Sequence, residues 1–150
     1  MEKIKEVKPK NKLDIIKKIK TLPEINMSNA IKILIVEDEE VLAKVFEEKF
    51  RHEHFDVKLV YDGEEVFNIA KSYMPSIVVL DLMLPKKSGI DVLRELKGDS
   101  NTSTIPVIVV SNLSDDTNIK TALKLGAKDF FVKSEHPINE IIEKIKSLII

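Results

Sequence analysis

The chain has 150 residues, 43% of them hydrophobic and 33% charged, the make-up of one soluble domain with a sizeable core. It contains no cysteine, which excludes disulfides, thiolate metal sites and cysteine nucleophiles; no apolar run nears the ~18–20 residues of a membrane span, and the lysine-rich start lacks a signal peptide's apolar core, so the expected location is the cytoplasm. The formal charge of −1 divides unevenly, with eight lysines against four acids (+4) in residues 1–30 and therefore −5 in residues 31–150, which disfavours nucleic acid as a partner of the folded part.

Residues 1–30 read as a lysine-rich leader and residues 31–150 as the folded domain. In the leader, Leu13, Ile15, Ile16 and Ile19 suggest one short amphipathic helix that Leu22 and Pro23 end. The run 31–36 is β-branched and nearly continuous, as a strand covered on both faces should be. Val41, Leu42, Val45, Phe46 and Phe50 then recur at helical spacing and predict a helix over 39–52. A second strand over 55–61 turns through Asp62 and Gly63 into a helix carrying Val66, Phe67, Ile69 and Ala70, which Pro75 stops. A third strand over 76–81 leads into a loop punctuated by Pro85 and Gly89, and helical periodicity resumes over 90–97. After a polar connection comes a fourth strand over 107–110, then a helix that Asp115 and Asp116 can cap and that ends at Gly126. A fifth strand over 129–132 and an amphipathic helix over 137–148 close the chain.

Five strands alternating with five helices, joined by short right-handed crossovers, predict a doubly wound α/β fold with a parallel sheet in the order 2-1-3-4-5. All strands then run the same way, and the residues just past their ends meet at one edge. Those residues are Glu37 and Asp38, Asp81, Ser111 and Lys133. Clustered carboxylates repel one another unless a cation sits among them, and an open, all-oxygen set favours Mg²⁺. With a lysine as point charge and a serine as hydroxyl donor, the set suits a phosphoryl group carried on a carboxylate.

Four motifs, ILIVEDEE at 33–40, VVLDLMLPKKSG at 78–89, VIVVSNLSDD at 107–116 and GAKDFFVKS at 126–134, stand in register. Together they make residues 31–150 resemble the receiver domain of two-component response regulators, a (βα)5 flavodoxin-like three-layer sandwich. The resemblance implies that Asp81 is the phosphoacceptor, that Asp38 ligates Mg²⁺ directly and Glu37 through a bound water, and that Met83 contributes only its backbone carbonyl. It implies that Ser111 and Lys133 bond the phosphoryl group and that the rotamer of Phe130 reports phosphorylation. The donor would be a sensor histidine kinase or a histidine phosphotransfer protein. Because the chain stops after the fifth helix of the alternation, the expectation is a stand-alone receiver, a signalling switch rather than an enzyme. Its output would pass through protein contacts on the surface of the fourth helix, fifth strand and fifth helix of that alternation, a surface onto which the leader could also fold. Homodimerisation is left open. One departure concerns the backbone: receivers usually carry proline after the lysine, with a cis bond, and here Ser134 follows Lys133.

Other readings compete. A Mg²⁺-dependent phosphohydrolase or nuclease on a similar sheet would want a second acid two residues after Asp81, where Met83 stands. A DNA-binding regulator would have to use the basic leader. His52 and His54 form a His-x-His pair, but with no third ligand in sequence the solvated loop is the expected role.

Overall fold

The computed structural model describes residues 11–21 and 30–149. The elements in chain order are α1 (Lys12–Thr21), β1 (Lys32–Val36), α2 (Glu40–His52), β2 (Asp56–Val60), α3 (Val66–Tyr73), β3 (Ile77–Leu80), α4 (Gly89–Gly98), β4 (Val107–Ser111), α5 (Asp116–Lys124), β5 (Asp129–Val132) and α6 (Ile138–Ile149). The predicted leader helix is α1, while its stop at Leu22 and Pro23 and the rest of the leader, apart from residues 11 and 30, lie outside the described residues. No described helix is long and apolar enough to cross a membrane.

The five strands form one parallel sheet in the order β2-β1-β3-β4-β5. Side chains alternate across a strand, so each central strand feeds two cores. Leu34, Val36, Val78, Leu80, Val107 and Val109 point to one face, where α3, α4 and α5 supply Val66, Ala70, Val92, Leu93, Leu96 and Ala122. Ile33, Ile35, Ile77, Val79, Ile108 and Val110 point to the other, against Phe46 and Phe50 of α2 and Ile141, Ile142 and Ile145 of α6. Burial on both faces is why these strands read as unbroken apolar runs. At the sheet edge β2 alternates instead, with Lys58 exposed between buried Val57 and Val60.

Helix ends follow local chemistry. Ser88 caps α4 by accepting from the Asp91 N–H at 3.2 Å, and Met74 ends α3 in the left-handed region at φ 53° just before Pro75. Gly126, at φ 111°, turns the chain after α5. Asp115 stands at the N-cap of α5, but its carboxylate takes the Asn118 side-chain amide, not a backbone N–H. The polar connection after α4 is pinned from within. Buried Thr102 donates to the Leu96 carbonyl at 2.6 Å, and Lys97 donates to the carbonyls of Ser103 and Ile105.

Candidate phosphorylation and metal site

At the C-terminal edge of the sheet the strand order reverses between β1 and β3, opening the crevice expected of a doubly wound sheet. The sheet's bonding pattern runs one residue past these strands: the Glu37 N–H bonds the Val60 carbonyl and the Asp81 N–H bonds the Val36 carbonyl, both at 3.0 Å. Two carboxylates are thereby set side by side in the protein, each residue only 3% exposed. Asp38, one residue further along, is exposed, and the three side chains each place an oxygen within 4.8 Å of the others.

Lys133 enters from the end of β5. Its Nζ donates to Asp81 Oδ2 at 2.7 Å and lies 2.5 Å from Glu37 Oε1 and 3.9 Å from Glu39 Oε1. Burial alone would lower the ammonium's pKa, but its hydrogen bonds and charge attraction to Asp81 and Glu37 outweigh that and the net shift is upward. Glu37 is pushed up to about 7, chiefly by burial, with the Lys133 hydrogen bond opposing and the Asp81 charge reinforcing the rise. One part-buried ammonium therefore faces two buried carboxylates and an exposed third. The donors are all oxygens, with no thiolate or imidazole among them, so the set fits a hard divalent cation.

The remaining predicted residues occupy the same edge. Ser111, fully buried at the end of β4, accepts from the Leu113 N–H at 3.2 Å, and its carbonyl accepts from the Lys133 N–H at 3.2 Å. Met83 donates its N–H to Asp81 Oδ1 at 3.1 Å and leaves its side chain 57% exposed. Phe130 is half-buried on β5 and packs against the core cluster beneath α3, α4 and α5. His52 and His54 lie away from this crevice. His52 lines a groove between α2 and α6, and His54 sits at φ 69° in the turn that follows α2.

Three features of the site had no clear signal in sequence. The Lys133–Ser134 bond is trans, as a non-proline bond prefers by about 3 kcal/mol, and the turn is held by Asn112, whose Oδ1 accepts from the Ser134 N–H at 2.9 Å. Glu39 folds toward Glu37, its N–H donating to Glu37 Oε2 at 3.3 Å. Two glycines set the loop that carries Asp81. A Cβ on Gly89 would lie 2.3 Å from the Asp81 carbonyl oxygen, and one on Gly63 would lie 2.0 Å from the Lys87 carbonyl oxygen. Neither Asn112 nor Gly63 carries a local signal, because each reaches a residue more than twenty positions away, Ser134 and Lys87.

Residues 33–146 match the response regulator receiver domain as a family. The chain belongs to that family. Receiver domains are phosphorylation-dependent signalling switches of two-component systems, working with histidine kinase or phosphotransfer partners, and this one has their parallel sheet and acidic edge. It is 36% identical over 118 residues to the response regulator ArlR of Staphylococcus saprophyticus, covering 79% of this chain and 52% of the relative. It is 38% identical over 118 residues to the probable transcriptional regulator ycf27 of Porphyridium aerugineum, covering 79% and 48%. Among solved structures, the BeF3-activated N-terminal receiver domain of Klebsiella pneumoniae RstA superposes with a TM-score of 0.68 at 26% identity, covering 78% of this chain and 97% of that one. The chain spans about half the length of the curated relatives it matches.

Proposed function

We infer that this receiver accepts a phosphoryl group on Asp81 from a histidine kinase or a histidine phosphotransfer protein, with Mg²⁺ held at Glu37, Asp38, Asp81 and the Met83 carbonyl. The observation that carries the reading is the pairing of two buried carboxylates with one part-buried ammonium, Lys133, at 2.5 and 2.7 Å. Such a site is built to handle charge that arrives and leaves. Asp81 supplies the attacking carboxylate oxygen, Lys133 a fixed positive charge for the transferred group, and Ser111 a hydroxyl donor. When bound by these carboxylates, Mg²⁺ would supply positive charge to offset that of the phosphoryl oxygens. The chain's own residues do the rest by position. The Met83 N–H and Lys133 each hold one Asp81 oxygen, so the carboxylate has a single orientation before any donor arrives.

On this reading the protein works in the cytoplasm and turns over no external substrate. Output passes through the surface of α5, β5 and α6 to a protein partner or a second copy, and Phe130 senses the site from the underside of that surface. Residues 1–30 form a leader to a receiver that occupies residues 31–150.

The test is intact-mass spectrometry after incubation with a small acyl-phosphate donor and Mg²⁺. One acid-labile phosphate per chain is expected, absent without Mg²⁺ and absent in Asp81→Asn. Phosphate uptake by Asp81→Asn at the wild-type rate would overturn the assignment.

A further inference from the structure

Two features stand outside the phosphorylation site. One is α1, whose Leu13, Ile15 and Ile16 side chains are 58%, 44% and 48% exposed. A helix of ten residues is marginal in water without an apolar surface to cover. The other is a groove of about 390 Å³ between α2 and α6. It is lined by half-buried Val45 and buried Ile142, with Glu48, Glu53 and Glu143 among its charged groups.

We propose that α1 docks lengthwise in this groove of its own domain. Dimensions permit it: at about 1.5 Å per residue, ten residues make a rod of ~15 Å beside the ~20 Å of α2. The tether permits it as well. Nine residues separate Thr21 from Ile31 and can span up to about 30 Å. Ile31 packs on the same core cluster as Phe50 and Ile145, and its carbonyl accepts from the Asp56 N–H just past α2, so the leader enters the domain on the groove's face and near its lower end. A tethered helix experiences an effective concentration in the millimolar range, enough for a contact of modest intrinsic affinity.

Charge favours the match. The leader carries +4 against −5 for the domain. Of the lining residues, Glu53 and Glu143 both pair with Lys146, at 2.6 and 3.3 Å, and Lys49 bonds Asn139 at 3.0 Å. These lysines offset part of the acidic lining. Glu48 has no ion pair among the described residues, and Glu143 shares its lysine with Glu53, so both can accept a lysine of α1 while Leu13 and Ile16 lie over half-buried Val45.

The absence of cysteine makes a clean experiment, because Lys17→Cys in the full chain takes a single nitroxide label. Amide signals of α2 from Val45 onward and of the first half of α6 should lose at least half their intensity relative to the reduced label. Glu48→Lys with Glu143→Lys should restore those signals while the remaining amide spectrum stays in place. Ile16→Ser tests the same contact from the leader side, should the double variant fold poorly. Uniform weak broadening, or broadening centred elsewhere, would overturn the proposal. So would groove broadening that persists undiminished in a mixture of spin-labelled chains without isotope and isotope-labelled chains without spin label, which assigns a second copy as the occupant. Undisturbed groove signals together with leader binding to phosphatidylglycerol vesicles would assign α1 to an anionic membrane instead and equally refute docking.

Discussion

Lys133 holds Glu37 and Asp81 where neither carboxylate has much water, so its removal acts on stability as well as on signalling. Breaking a buried charge pair by deleting one partner leaves the other uncompensated and typically costs about 3 kcal/mol. Lys133→Ala is therefore expected to lower the metal-free unfolding free energy by about that much in urea titrations, and millimolar Mg²⁺ is expected to restore most of it. An equal loss with and without Mg²⁺ would show that the lysine packs rather than balances charge. On the proposed function, Met83 and Leu113, two residues beyond Asp81 and Ser111, bear on the lifetime of the phosphorylated state. Neither side chain can orient a water or accept its proton, so phosphate loss should be slow. Met83 is the better site to test because its side chain is 57% exposed, whereas Leu113 packs against the core. Met83→Asn should accelerate phosphate release, measured as a time course after donor removal, with Mg²⁺ affinity nearly unchanged.

At the scale of elements, the β3–α4 loop decides where Asp81 sits. It closes on itself through the bond from the Gly89 N–H to the Leu82 carbonyl at 2.9 Å, and the bond from the Gly63 N–H to the Pro85 carbonyl at 3.1 Å ties it to the β2–α3 segment. Gly89 leaves no room for a methyl, because its Cβ would meet the Asp81 carbonyl oxygen at 2.3 Å and Leu82 Cα at 2.4 Å, both of them backbone. Gly89→Ala should destabilise the domain by about 2 kcal/mol through overpacking and slow phosphorylation of Asp81 several-fold. Circular dichroism melting together with the labelling rate checks both. A normal melting temperature with slowed labelling would mean that the loop yields and only the site shifts.

For the whole molecule, the buried charge makes metal-free stability depend on pH. Glu37 has a folded-state pKa of about 7 against an ordinary value of 4.5, so between those values the folded state binds more protons than the unfolded one. The contribution is fully present below about 4.5 and is lost as pH rises through about 7. Metal-free urea midpoints corrected with a Glu37→Gln variant should show this decline, and the variant should flatten it. Mg²⁺ binding should in turn release protons near pH 6.5 and strengthen toward pH 8, which calorimetry in buffers of different ionisation enthalpy reads directly.

What the sequence determined by itself is what local periodicity and one rule of sheet geometry can carry. Apolar runs such as 31–36 and 107–110 mark strands buried on both faces, Pro75 and Gly126 mark where helices end, and parallel strands bring their C-terminal ends to a common edge. That is enough to gather Glu37, Asp38, Asp81, Ser111 and Lys133 without a coordinate. Tertiary structure alone decided the contacts between segments that no local pattern links. Gly63 lies 24 residues from Lys87 in sequence yet directly beneath its carbonyl, Asn112 holds the Ser134 N–H of a residue 22 positions away, and α2 and α6 leave a groove between them. The reason is physical. Periodicity reports which face of an element is buried, whereas close approach of two backbones and the bridging of Glu37 and Asp81 by one lysine depend on how whole elements dock, a relation set by packing across the chain.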